Sequence, residues 1–78
     1  MSKIEKLRKK MQNNPKDWRI EDVEKLARAY GFAWEEGKGS HKNFYHKKLR
    51  NILTIPCKRP IKPTYIKQLL ELIEEIEE

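Results

Sequence analysis

The sequence predicts an α+β fold, a three-stranded antiparallel sheet packed by helices on one face. Three observations carry that expectation. Apolar residues recur at helical spacing in three segments, near the start, over residues 20–30 and after Pro63. Between the second and third segments lie short strand-like runs punctuated by Gly and Pro. The link between two of those runs, Lys47–Arg50, is short, which favours an antiparallel hairpin.

Taken in order, Ile4, Leu7 and Met11 recur at i, i+3 and i+7, so residues 3–13 read as a short amphipathic helix. Asn13-Asn14-Pro15 stops it, because the residue before a proline is pushed out of the α region. Ile20, Val23, Leu26, Ala27 and Tyr30 mark a second helix over residues 20–30. Gly31 follows as its C′ residue, where a left-handed backbone costs glycine nothing. Phe32-Ala33-Trp34 reads as a first strand and Gly37-Lys38-Gly39-Ser40 as a turn. His41–Lys47 suits a second strand and Asn51–Ile55 a third, ended by Pro56. Pro63 fits the first turn of a last helix, whose stripe is Ile66, Leu69, Leu70, Ile73 and Ile76, widened by Leu72. Five glutamates crowd the second half of that helix, where the dipole disfavours negative charge, so fraying or a contact with basic groups is needed to explain them.

Residues 1–78 are long enough for one small domain, with residues 1–15 as an N-terminal helical extension. One cysteine excludes an internal disulfide framework, and two histidines with one cysteine cannot complete a usual structural zinc site. No metal and no cofactor is expected. No apolar run approaches ~18 residues and the charged start lacks a secretory apolar segment, so a reduced, cytoplasmic protein without membrane contact is expected. The net charge of +6 is unevenly spread. Residues 1–37 sum to +2 and residues 64–78 to −4, whereas residues 38–62 carry eight basic side chains and no acidic one. Such a block marks a surface for a polyanion, although a solvated basic face kept for solubility would look similar.

Alternation along the second strand puts His41, Asn43 and Tyr45 on one face and Lys42, Phe44 and His46 on the other. With Phe44 turned to the helices, His41, Asn43 and Tyr45 face solvent inside the basic block. An imidazole is the side chain suited to giving and taking a proton at physiological pH. RNA supplies a matching substrate, since its 2′-hydroxyl attacks the adjacent phosphate once deprotonated. Nearby Lys and Arg would hold that phosphate and stabilise the charge of the transition state. His41 and His46 cannot flank one phosphate: five strand residues separate them by roughly 16 Å, and they point to opposite faces. His41 is therefore the catalytic candidate, or else a phosphate contact, and His46 a structural residue. Trp18 and Trp34 read as core or core-edge residues, Trp34 being near enough to the turn to stack on a base. Cys57 reads as a passive thiol, and Glu35 and Glu36 diverge on a strand and so form no metal pair.

Gly31-Phe32, Gly39-Ser40-His41, Phe44 and Leu53-Thr54-Ile55-Pro56, in that order and spacing, resemble the HicA family of bacterial and archaeal toxins. Asn14-Pro15 with Ile20-Glu21-Asp22, and Lys62-Pro63-Thr64-Tyr65-Ile66-Lys67-Gln68, look like one branch of it, and the likeness covers residues 7–74. The resemblance implies a double-stranded-RNA-binding-domain-like fold with an extra N-terminal helix here. It also implies a ribosome-independent mRNA interferase activity and neutralisation by an antitoxin, HicB. The family's catalytic histidine, in Gly-Ser-His, matches His41. Two positions depart from the pattern. Lys42 stands where a second histidine is often found, and Cys57-Lys58-Arg59 stands where the family often has a histidine.

The expectation is thus an endoribonuclease toxin that cleaves mRNA without a metal, through His41. Lys38, Gly39, Ser40, Lys42, Asn43, Tyr45, Lys47, Lys48, Arg50, Lys58 and Arg59 are its expected RNA contacts. The alternative is a non-catalytic RNA-binding module using the same basic face, docking on shape and 2′-hydroxyls. A DNA-binding regulator is disfavoured, because no helix-turn-helix carries the charge.

Overall fold

The computed structural model describes residues 2–77. Along them run α1 (Lys3–Asn13), α2 (Ile20–Ala29), β1 (Ala33–Glu36), β2 (His41–Tyr45), β3 (Leu53–Pro56) and α3 (Pro63–Glu77). The strands form one antiparallel sheet in the order β1-β2-β3, the α+β arrangement the sequence predicts.

Phe44 of β2 pairs with Trp34 of β1 and Leu53 of β3, and Lys42 pairs with Glu36 and Ile55, so these residues share the inner face. Phe44, Leu53 and Ile55 are buried there against Val23, Leu26 and Ala27 of α2 and Ile66, Leu69 and Ile73 of α3. Burying a side chain such as Phe44 contributes about 1.5–3 kcal/mol. The other face carries Ala33 and Glu35, His41, Asn43 and Tyr45, and Thr54 and Pro56, with no helix over it. Both helices of the core thus leave one face of the sheet open, and that face bears His41.

Helix α1 is built into the same core. Ser2 caps it by accepting the Glu5 N–H at 3.2 Å, and Met11 is fully buried. Arg8 fastens it to both other helices: its guanidinium grips the Glu77 carboxylate of α3 at 2.7 and 2.9 Å. The same group donates to the Tyr30 hydroxyl at 3.3 Å and lies 5.3 Å over that ring. One of the five C-terminal glutamates is thereby explained. The bond from Arg8 holds the Glu77 carboxyl below its ordinary pKa, and the Arg8 pKa is raised in return.

The strand boundaries differ from the expected ones for identifiable reasons. Helix α2 ends in a Schellman pattern, with Gly31 N–H donating to Arg28 O and Phe32 N–H to Ala27 O. Gly31 takes φ +87°, as its C′ position requires. Phe32 is therefore spent on the helix end, and β1 runs over Ala33–Glu36 instead of Phe32–Trp34. At the far end, β2 stops at Tyr45 because His46 turns the chain. The imidazole Nδ1 accepts the Lys48 N–H at 3.0 Å, and the His46 carbonyl accepts the Leu49 N–H at 2.9 Å. The Nε2–H donates to Tyr30 O at 3.1 Å, and Phe32 packs edge-on to the ring. His46 is 7% exposed, a structural latch between α2 and β2. The link to β3 consequently spans residues 46–52, longer than the expected 47–50.

Candidate active site

His41 opens β2 and is exposed on the uncovered face. The turn before it is closed by Gly37 N–H donating to His41 O at 2.9 Å, and Gly39 takes φ +66°. This brings the Lys38 carbonyl to the imidazole, 3.1 Å from Nδ1. A carbonyl oxygen only accepts, so the bond assigns the proton of the neutral ring to Nδ1. The lone pair is then on Nε2, which no protein group engages among the described residues.

Beside the imidazole lies a cleft of about 240 Å³. Ser40 and His41 form one side of it. Pro56, Lys58 and Pro60, from the end of β3 and the loop after it, and Lys62 and Tyr65, at the start of α3, form the rest. Among the described residues no carboxylate lines it. The loop is pinned at both ends. Cys57 N–H donates to Ser40 O at 2.6 Å, and Ile61, itself buried, donates its N–H to Trp18 O at 2.8 Å. Burial pushes the Cys57 thiol above its ordinary pKa, which favours its protonated form.

The expected RNA-contact residues divide into groups. Lys38, Gly39, Ser40 and Lys58 are exposed around His41. Tyr45, Lys47, Lys48 and Arg50 are exposed at the other end of β2, about 13 Å along the strand at ~3.3 Å per residue. Asn43 lies between them on the same face and accepts the Thr54 hydroxyl at 2.8 Å. Two members are paired with carboxylates. Lys42 is on the inner face, where its ammonium is paired with Glu24 of α2, and that bond raises its pKa. Arg59 is exposed but paired with Glu21 at 3.1 Å. Lys42 is thus turned away from the open face, whereas the Arg59 pair is exposed and, screened by solvent, is worth little. Trp34 packs on Phe44 with Arg28 over its ring, on the inner face and away from any base stacked near His41.

Four residues of the cleft, Pro56, Pro60, Lys62 and Tyr65, were absent from the expected contacts. Lys62 was visible only as one charge of the basic block, and Tyr65 only as part of a helix start. The signal was available: side chains of a first helical turn lean back over the segment N-terminal to them, so Tyr65 had to cover the loop before α3.

Comparison with known families gives one match. A family model described as the HicA toxin of bacterial toxin-antitoxin matches residues 20–74. No curated protein and no solved structure matches the chain. No helix among the described residues is long and apolar enough to cross a membrane.

Proposed function

The chain belongs to the HicA toxin family, and on that premise we propose that it is an mRNA-cleaving endoribonuclease with His41 as the general base. The observation that carries the proposal is the bond from His41 Nδ1–H to the Lys38 carbonyl, which leaves a basic Nε2 at the rim of a cationic cleft. In the proposed step, Nε2 removes the proton of a ribose 2′-hydroxyl. The oxygen attacks the adjacent phosphorus, and the bond from phosphorus to the 5′-oxygen breaks. The products are a 2′,3′-cyclic phosphate and a 5′-hydroxyl, the leaving oxygen taking its proton from water at the open cleft. Lys38, Lys58 and Lys62 surround the reacting phosphate and offset its developing charge.

The chain would engage mRNA along the outer face of β2. One end of the strand carries the catalytic cations and the other carries Lys47, Lys48 and Arg50. A HicB-like antitoxin would neutralise the toxin by covering that face, its acidic groups answering the basic block. The proposed chemistry needs no metal, and its natural setting is the cytoplasm, where mRNA is found.

The test is cleavage of end-labelled single-stranded RNA in EDTA, beside His41→Ala. Cleavage should persist without divalent ions and yield 2′,3′-cyclic phosphate ends. RNA carrying 2′-O-methyl groups should stay intact. His41→Ala should lose about 10²–10⁴-fold in rate, the usual contribution of a general acid–base residue. Full activity in that variant, or cleavage of the methylated RNA, overturns the proposal.

A further inference from the structure

The cleft beside His41 is not shaped for phosphate alone. Phosphate recognition needs cations and N–H groups, and Lys58 and Lys62 provide charge at its edge. Yet much of its lining is apolar: the saturated rings of Pro56 and Pro60 and the planar, partly buried ring of Tyr65. At about 240 Å³ it is smaller than the ~300–1,000 Å³ sites that hold drug-sized ligands, so it has room for one ring system. Its walls are also held in place, by the Cys57–Ser40 bond on one side and the Ile61–Trp18 bond on the other. An apolar cleft with one aromatic ring, two ammonium groups and, among the described residues, no carboxylate is complementary to a nucleotide: a base inside, phosphates at the lysines.

We propose that this cleft is a base-binding subsite, in which Tyr65 stacks on an unpaired base next to the phosphate attacked by the 2′-oxygen that His41 deprotonates. The inference rests on the endoribonuclease proposal for what happens at His41 and adds to it a base-binding subsite, and with it a preference for unpaired over paired segments of the RNA. A base held in an A-form duplex is stacked between its neighbours and paired, and cannot enter such a cleft without leaving the helix. Paired RNA is therefore a poor substrate, and loops and unpaired stretches are cut. Because stacking accepts any π-face, the subsite tolerates all four bases and grades them by ring size and stacking strength. Tyr65 is here a positioning residue, setting which phosphate lies at His41.

The experiment measures equilibrium binding, so that it does not depend on cleavage. His41→Ala protein, which keeps the RNA intact, is titrated with fluorescent single-stranded RNA homopolymers. The control is an abasic ribose-phosphate oligomer of equal length. Base-bearing RNA should bind more tightly than the abasic chain by about 5- to 150-fold, the range that aromatic stacking gives per base. Adding Tyr65→Ala should close that gap while leaving abasic binding unchanged, and adding Tyr65→Phe should preserve it. Tyr65→Leu, which keeps apolar volume but not the flat ring, should behave like Tyr65→Ala. A structural role for Tyr65 would weaken both oligomers alike. An equal fall for both, an undiminished gap in the Ala and Leu variants, or no gap in the starting protein overturns the inference. None of these outcomes touches the cleavage assay with native protein. An inactive native protein that keeps the gap would instead overturn the endoribonuclease proposal and leave the base-binding subsite standing.

Discussion

His46→Ala should be costly to the fold and nearly silent in the chemistry, the reverse of His41→Ala. His46 is 7% exposed, and both ring nitrogens are used by backbone groups, the Lys48 N–H and the Tyr30 carbonyl. Removing the ring leaves those two groups without partners at about 1 kcal/mol each, or more where water cannot reach them. The edge-on contact with Phe32 adds about 0.5–1.5 kcal/mol. The total, about 2–4 kcal/mol, is most of the stability of roughly 3–5 kcal/mol expected for a core of this size. In a domain of 60–100 residues it corresponds to a fall in Tm of about 10–25 °C. Gly31→Ala should act through the same contact, because its Cβ would lie 3.1 Å from His46 Nε2 at φ +87°. Thermal unfolding by circular dichroism measures the fall, and RNA cleavage well below the midpoint gives the rate per folded molecule. That rate should stay within a few fold of the native one. An unchanged midpoint would mean that the latch contributes nothing to stability. A native midpoint with a His41-like loss of rate would place His46 in the chemistry and refute the division of labour.

Other outcomes follow from the charges of the molecule. RNA affinity should fall with salt at a log–log slope of about −3, from about four phosphate contacts at ~0.7 each on single strands. Lys42→Ala should leave that slope unchanged, because Lys42 is paired with Glu24 on the inner face; filter binding across potassium chloride concentrations tests both, and a zero slope would remove the polyanion surface. The pH dependence of stability has a definite sign at the α1–α3 junction. Glu77 has its folded pKa lowered by the bond from Arg8, so its contribution is present above the unfolded carboxylate pKa of 4.5 and is lost as pH falls through the folded value. Urea midpoints should therefore drop in acid, and Arg8→Ala should flatten that part of the drop; an identical acid limb in the variant would show that the ion pair is not coupled to folding.

What could be read from the sequence was whatever depends on local period. Helical spacing placed α1 at residues 3–13, and the apolar stripe of α3 placed Ile66, Leu69, Leu70 and Ile73 in the core, where they are buried. Period two along β2 separated His41 from His46, because a strand cannot turn residues of opposite parity to one face. Boundaries were read less well where side chains or helix ends compete with the ladder for backbone groups. Phe32 has strand-like chemistry, but its N–H is taken by Ala27 O, and His46 captures the amide of Lys48 through its own ring. Both bonds are local, and Gly31 at C′ already pointed to the first. Whether such a bond or the strand ladder takes the amide is decided by the tertiary packing around it, as where His46 also reaches Tyr30 O.

The cleft illustrates the harder limit. Its two sides, Ser40–His41 and Pro56–Tyr65, come together because Pro56 pairs opposite His41 in the β2–β3 ladder. That register follows from the seven-residue link over 46–52, whose path is set by His46 and by Leu49 packing on the core. The structural histidine therefore bears on the site without touching it, by fixing where the strand opposite the catalytic candidate must lie. A sequence reader could name His41 from its face and its basic neighbourhood. The helix start pointed Tyr65 at the loop before α3, but placing it beside His41 required the register. With the register, the apolar wall beside the imidazole becomes the feature that separates a phosphate-binding patch from a seat for a nucleotide.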